Sequence, residues 1–305
     1  MVISGFAELR SKFEAQSPVP AVVAAAHDLH TLEGVFAAER DGLIEPVLVG
    51  RREELLALCS RLGRAVPLPR IVEADSETEC AETSVRLIRE GAGRMLIKGM
   101  LQTGTLLKAV VHKDTGIRKA ELMSHVAILD VPSYRKLLFI TDGGMVVAPD
   151  LAEKKHILRS CGELCWFLGY EQPKAAALCA VEVVNPRMPE TLDAAALKEA
   201  AARGEFGNML VEGPIALDLA TDPEAAAIKH YESPVAGDAD ILLVPNITSG
   251  NLLGKALYGL AGGKMAGVVL GAEVPIVINS RGASPEEKYS SILISAAMDR
   301  RSSHV

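Results

Sequence analysis

"AVVAAAHDLHTLEGVFAAERDGLIEPVLVG" (residues 21–50) contains one complete strand–helix–strand unit. Ala21–Ala26 is an apolar run of strand length, Asp28 stands where a helix is capped, the helix closes near Gly42, and Pro46–Gly50 is the next strand. The alternation continues outward. Glu53–Leu62 reads as a helix and Ile71–Glu73 as a brief strand, and Ser76-Glu77-Thr78-Glu79 is a capping box opening a helix that ends at Gly91. Arg94–Lys98 is a strand that breaks at Gly99, and Thr103–Val111 is a helix begun by a hydroxyl residue. After Arg118 the texture changes: "SHVAILDVP" and "KLLFITDGG" are neighbouring strands with no room for a crossover helix, so a domain junction is expected around residues 118–130. Beyond Pro149-Asp150 a long helix reaches Tyr170. Strands at Ala175–Val181, Met209–Glu212, "DADILLVP", Ala266–Leu270 and Pro275–Ile278 then alternate with helices at Thr191–Arg203, Pro223–His230 and Gly250–Ala261. Repeated βαβ units make this an α/β protein.

Composition agrees. Of 305 residues 49% are hydrophobic but only 4% aromatic, which suits helices packed on a parallel sheet, and the length allows two lobes with a core each. A net charge of -7 with scattered Lys and Arg gives no footprint for nucleic acid. No stretch approaches the ~20 apolar residues of a membrane span, and Glu8, Arg10, Lys12 and Glu14 interrupt any signal-peptide core, so a cytoplasmic protein is expected. Five cysteines with no Cys-x-x-Cys pair indicate neither a disulfide framework nor a zinc site. Cys161 and Cys165, one helical turn apart, lack partners at metal-site spacing and read as core filling.

Five loops at strand ends carry the polar groups: "KGMLQTGT" (98–105), "DGGMVVAPD" (142–150), "EGPIALD" (212–218), "NITSGN" (246–251) and "NSRGASPEE" (279–287). No G-x-G-x-x-G follows a strand and no G-x-S-x-G occurs. "GNLLGK" and "GLAGGK" are one residue short of a phosphate loop, and Ala256 and Met265 stand where a magnesium-binding hydroxyl belongs, so both read as helix punctuation. The fifth loop is the most informative. Ser284-Pro285-Glu286-Glu287 is a capping box with Pro at the first helical position, which gives Glu287 a structural task of its own. Arg281 adds positive charge where the helix dipole is already positive, an unfavourable placement unless an anion sits there.

The segments "SPVAGDADILLVPNITSGN", "LDAAALKEAA", "AHDLHTLEGVFAAERDGLIEPVLVG" and "INSRGASPEEK" together resemble the phosphate acetyltransferase/butyryltransferase family over about residues 18–298, with the closer likeness to the butyryltransferase branch. The resemblance implies an isocitrate/isopropylmalate dehydrogenase-like fold. Two α/β sandwich lobes, residues 1–125 with 271–305 and residues 126–270, would flank an active-site cleft. It also implies a homodimer and reversible exchange of a short acyl group between coenzyme A and inorganic phosphate. Coenzyme A is then a substrate, and no metal or permanently bound cofactor is required. Carried over residue by residue, Ser280 donates to the oxyanion, Arg281 holds the acyl phosphate, and Glu287 stands where the acetyltransferase branch has an Asp proposed as base for the thiol. Lys108 replaces an arginine of that branch, leaving Arg118 as a candidate to share its duty. Thr103, Thr105, Asn246, Thr248, Gly250 and Asn251 are the remaining substrate-binding candidates. The departures at Lys108 and Glu287 keep a non-catalytic coenzyme A or acyl phosphate binder open as an alternative, and acetyl-CoA is an alternative substrate. An oxidative decarboxylase of the same fold would need clustered metal-binding aspartates and a nicotinamide site, which the sequence does not display.

Overall fold

The computed structural model describes residues 2–12, 17–280 and 282–301. A short helix, α1 (Phe6–Lys12), precedes the unit from which the sequence was read: β1 (Val19–Ala24), α2 (Leu29–Arg40) and β2 (Ile44–Gly50). Asp28 caps α2, its carboxylate accepting the Thr31 N–H at 2.8 Å and the Thr31 hydroxyl at 2.6 Å. β1 starts ahead of the apolar run because Val19 and Pro20 already pair with Ile44 and Glu45 in parallel register.

Next come α3 (Arg52–Arg61), β3 (Ile71–Glu73), α4 (Glu77–Arg89), β4 (Met95–Lys98) and α5 (Thr103–Val110). Two helix starts differ from expectation. Ser76 accepts the Glu79 N–H, but the Glu79 carboxylate takes the N–H of Asp75 in place of that of Ser76, so the box closes one residue early. Thr103 is the first helical residue of α5 and not its cap; Gln102 holds the cap position, and its N–H goes to the Glu77 carboxylate of α4 at 2.9 Å.

β5 (Ser124–Asp130) and β6 (Leu138–Thr141) pair antiparallel, as the missing crossover demanded. The alternation then resumes with α6 (Leu151–Phe167), β7 (Lys174–Leu178), α7 (Pro189–Ala202), β8 (Leu210–Ile215), α8 (Leu217–Thr221), α9 (Pro223–Ile228), β9 (Ile241–Leu243) and α10 (Ile247–Gly259). Because Asn246 caps α10, the helix begins before Gly250, and "GNLLGK" lies inside it as punctuation. β10 (Lys264–Leu270), β11 (Ile276–Val277) and α11 (Pro285–Arg301) complete the chain.

The chain forms two compact units. The first comprises Arg10–Glu121 and the described residues from Ala266 onward. Its strands run β3-β2-β1-β4-β11-β10, parallel except for the β10–β11 pair. Val22, Val23, Leu48, Leu96 and Ile97 fill its sheet and are no more than 1% exposed, the apolar character expected of strands covered on both faces. α11 lies against α2 so closely that a side chain on Gly34 would meet the Pro285 carbonyl oxygen at 2.9 Å. The second unit comprises Leu122–Met265 and the described residues up to Leu9. Its strands run β5-β6-β9-β7-β8, parallel apart from the first pair. Leu129, Ile140, Ala176, Ile215 and Leu242 anchor its core. In each unit the parallel strands end along one edge, where helix N-termini leave backbone N–H groups available. Among the described residues no helix is long and apolar enough to cross a membrane.

Candidate active site

In the first unit β11 runs parallel to β4, with Val277 opposite Ile97, so the chain leaves both strands on the same edge. Ser280 follows β11 after Ile278 and Asn279 and is exposed. Its carbonyl oxygen accepts the Ala283 N–H at 3.0 Å, turning the chain toward α11. There the expected capping box is present in both directions: Ser284 Oγ accepts the Glu287 N–H at 3.2 Å and Glu287 Oε2 accepts the Ser284 N–H at 2.8 Å. Unlike an ordinary capping glutamate, Glu287 is only 5% exposed. Its neighbour Lys288 is 3% exposed, and burial pushes the ammonium below the usual lysine range against the opposing pull of Asp28 and Glu287. Arg281 lies outside the described residues.

A second cluster lies on the same unit. α4 and α5 border a groove of about 920 Å³ whose lining includes Thr105 and Lys108 of α5, Arg86 and Arg89 of α4, and His112. Arg86 is partly neutralised by Glu90 at 3.0 Å on the exposed face of its own helix. Three cationic side chains, Arg86, Arg89 and Lys108, thus line the groove together with one carboxylate, Glu82, while His112 Nδ1 accepts the Thr115 N–H at 3.3 Å. Thr103 is half-buried at the head of α5, whereas Arg118 lies elsewhere, bridging antiparallel to Ala272 in the connection between β10 and β11.

The second unit has its own polar edge. Asn246 spends its side-chain oxygen capping α10, accepting the Ser249 N–H at 3.0 Å. Thr248 is exposed in the first helical turn. Gly250 stands against Gly143: a side chain on Gly250 would come within 2.7 Å of the Gly143 Cα, so only two glycines allow these backbones to touch. Asn251 Nδ2 donates to the Gly143 carbonyl at 3.3 Å. The opposing turn is fixed by Asp142, whose Oδ1 accepts the Gly144 and Met145 N–H groups at 2.7 Å and whose Oδ2 accepts that of His125 at 2.8 Å. His125 Nδ1 is buried without a hydrogen-bond partner, and burial holds the imidazole below its ordinary pKa against the pull of Asp142.

Residues 57–296 match the family model described as phosphate acetyl/butaryl transferase. The chain belongs to this family. It is 37% identical over 295 residues to the phosphate butyryltransferase of Clostridium acetobutylicum, covering 97% of this chain and 98% of that protein. It is 39% identical over 274 residues to the phosphate acetyltransferase of Thermotoga maritima, covering 90% and 93%. Among solved structures, a branched-chain phosphotransacylase from Enterococcus faecalis V583 superposes with a TM-score of 0.79 at 32% identity, covering 91% of this chain and 98% of that one. A putative 4-hydroxythreonine-4-phosphate dehydrogenase from Salmonella typhimurium, 14% identical, matches with a TM-score of 0.55 over 92% of this chain and all of that one. The phosphate acetyl/butyryltransferase member described here therefore has the dehydrogenase-like α/β fold that its sequence resemblance implied.

For this transferase the structure brings Ser280 and Glu287 together around one turn, and Thr105 and Lys108 together in one groove. It gathers Asn246, Thr248, Gly250 and Asn251 at the head of α10. Arg118 does not line the Lys108 groove. Arg86, Arg89 and His112 were not singled out from the sequence. On α4 the two arginines, three residues apart, read as a solvated helix face, and only the packing of α4 beside α5 reveals a shared groove.

Proposed function

We propose that this protein exchanges a short acyl group, butyryl or one of similar length, between coenzyme A and inorganic phosphate. What supports the reading is the turn from β11 into α11, which carries an exposed serine, Ser280, and leads into the first turn of a helix bearing an oriented and buried carboxylate, Glu287. A thiol with a pKa near 8.5 is mostly protonated at neutral pH, so it needs a base as it attacks. Glu287 takes the thiol proton while the sulfur–carbon bond forms at the acyl phosphate carbonyl. Ser280 donates to the developing oxyanion, a contact worth ~3 kcal/mol of barrier. The carbon–oxygen bond to phosphate then breaks, leaving thioester and phosphate; the reverse reaction uses the same groups. Arg281, outside the described residues, is assigned to the phosphate by family resemblance.

Lys108, Arg86 and Arg89 are assigned to the phosphate groups of coenzyme A, because a groove whose three cationic side chains outnumber its one lining carboxylate, Glu82, fits a polyanion. The α10 head supplies further polar contacts through Thr248 and Asn251. A homodimer, implied by the family resemblance, and a cytoplasmic location, supported by five free cysteines, belong to the same reading. The second reading is acetyl transfer, favoured by the 39% identity to an acetyltransferase. Thiol release from a panel of acyl-CoA esters, with and without phosphate, tests both. Phosphate-dependent release with butyryl-CoA is the expected result; preference for acetyl-CoA selects the second reading, and no phosphate-dependent release from any ester refutes both.

A further inference from the structure

Asn279, in the segment that follows β11, and the helix that carries the carboxylate are joined by a buried polar node that the reaction does not itself require. Ser291, one turn after Glu287 on α11, is fully buried. Its hydroxyl donates to the Glu287 carbonyl oxygen at 2.8 Å. Ser291 Oγ in turn accepts the Gly267 N–H from β10 at 2.9 Å and the Asn279 Nδ2–H at 2.9 Å. One donor and two lone pairs are thus all engaged. Since the hydroxyl hydrogen is spent on Glu287, Ser291 can only accept from Asn279, and this fixes the amide with its nitrogen toward the helix. Asn279 is 7% exposed, its Oδ1 is buried without a partner, and Ser280 follows it immediately in the chain. A surface loop would leave Ser280 to find its orientation from solvent; here its neighbour is bonded to the helix whose first turn bears Glu287.

We propose that the Asn279–Ser291 hydrogen bond is a positioning device of the acyl transfer: it sets the Ser280 hydroxyl relative to the Glu287 carboxylate. The inference rests on the reading of Ser280 and Glu287 given above. It assigns Asn279 and Ser291 no contact with substrate. They act through the residues beside them, and a displacement of about 1 Å in such a pair costs on the order of 100-fold in rate.

The test is steady-state kinetics of the full-length protein with butyryl-CoA and phosphate, for Asn279→Ala, Ser291→Ala, the double variant and Ser280→Ala, each checked for folding by thermal melting. The bond predicts that each strut variant loses ~10- to ~100-fold in kcat while its KM for butyryl-CoA, assigned above to the α4–α5 groove that neither residue lines, stays within about twofold. The double variant should lose no more than the more impaired single variant, because both remove the same bond. If Asn279→Ala does not fold, Ser291→Ala breaks the bond from the other side. Parental kcat in a folded strut variant while Ser280→Ala collapses would overturn the positioning role alone, as would losses that multiply in the double variant or appear wholly in KM. Parental kcat in Ser280→Ala would overturn the site reading itself, and the strut with it.

Discussion

Two helices of this molecule begin with the same device and put it to different use. At α6 the Asp150 carboxylate accepts the Glu153 N–H at 2.8 Å and Glu153 accepts the Asp150 N–H at 3.0 Å. At α11 Ser284 and Glu287 exchange the same pair of bonds, at 3.2 and 2.8 Å. The Glu153 box meets solvent and follows a loop, whereas Glu287 is 5% exposed, follows a strand end with an exposed serine, and is tied through its carbonyl to Ser291. A capping box therefore says where a helix starts and nothing about chemistry. Burial and the element that precedes the box decide whether its glutamate has a second task.

The sharpest way to break this contrast is Glu287→Gln. Glutamine can keep the cap, so the melting temperature should stay close to the parent's while kcat falls ~10²- to ~10⁴-fold, the usual worth of a positioned base. Glu153→Gln should leave kcat unchanged; equal losses at the two helices would erase the distinction. Next in size, Ser280→Ala should lower kcat by ~10²- to ~10³-fold with KM for both substrates largely retained, which stopped-flow or steady-state assays resolve. Arg89→Ala, in the α4–α5 groove, should instead raise KM for acyl-CoA about tenfold, as expected for losing one charge-assisted hydrogen bond, with kcat kept; an unchanged KM would remove the groove from the site. Asp150→Ala should cost ~1 kcal/mol of stability, measured by urea titration, without touching turnover.

Acid provides the smallest effect and a control on the others. Burial lowers the pKa of His27 and His125 in the folded chain from the ordinary 6.5. As pH falls through that value the unfolded chain takes up these protons first, so stability present above pH 6.5 is progressively lost below it. His125→Asn should flatten the slope of unfolding free energy against pH. If activity falls at a higher pH than stability does, the loss belongs to the site and not to the fold.

Much of this was legible in the chain because the signals were local. Apolar runs of strand length, Asp28 before a helical period, and Ser284-Pro285-Glu286-Glu287 each specify their own geometry within a few residues. What stayed hidden was made by distant partners. Asn251 meets Gly143 across 108 residues, Gln102 yields its N–H to Glu77 from 25 residues away, and Ser291 joins Gly267 to Asn279 in the buried interior. A serine inside a helix has no sequence signature for such a role, since its ordinary habit of bonding the carbonyl four residues back looks identical. The start of α10 illustrates the middle ground: Asn246 was noticed as polar, and only the structure shows its oxygen engaged in a cap.

The five cysteines, all reduced and all buried, acquire a meaning once the proposed product is itself a sulfhydryl compound. Burial lifts the thiols of Cys59, Cys80 and Cys165 above the ordinary cysteine range, and that of Cys179 to about 11. A walled-off, protonated sulfur is a poor nucleophile, so these side chains do not compete with the liberated thiol for an added disulfide. A chromogenic disulfide reagent added to the intact protein should colour with what the reaction liberates and stay silent toward the polypeptide.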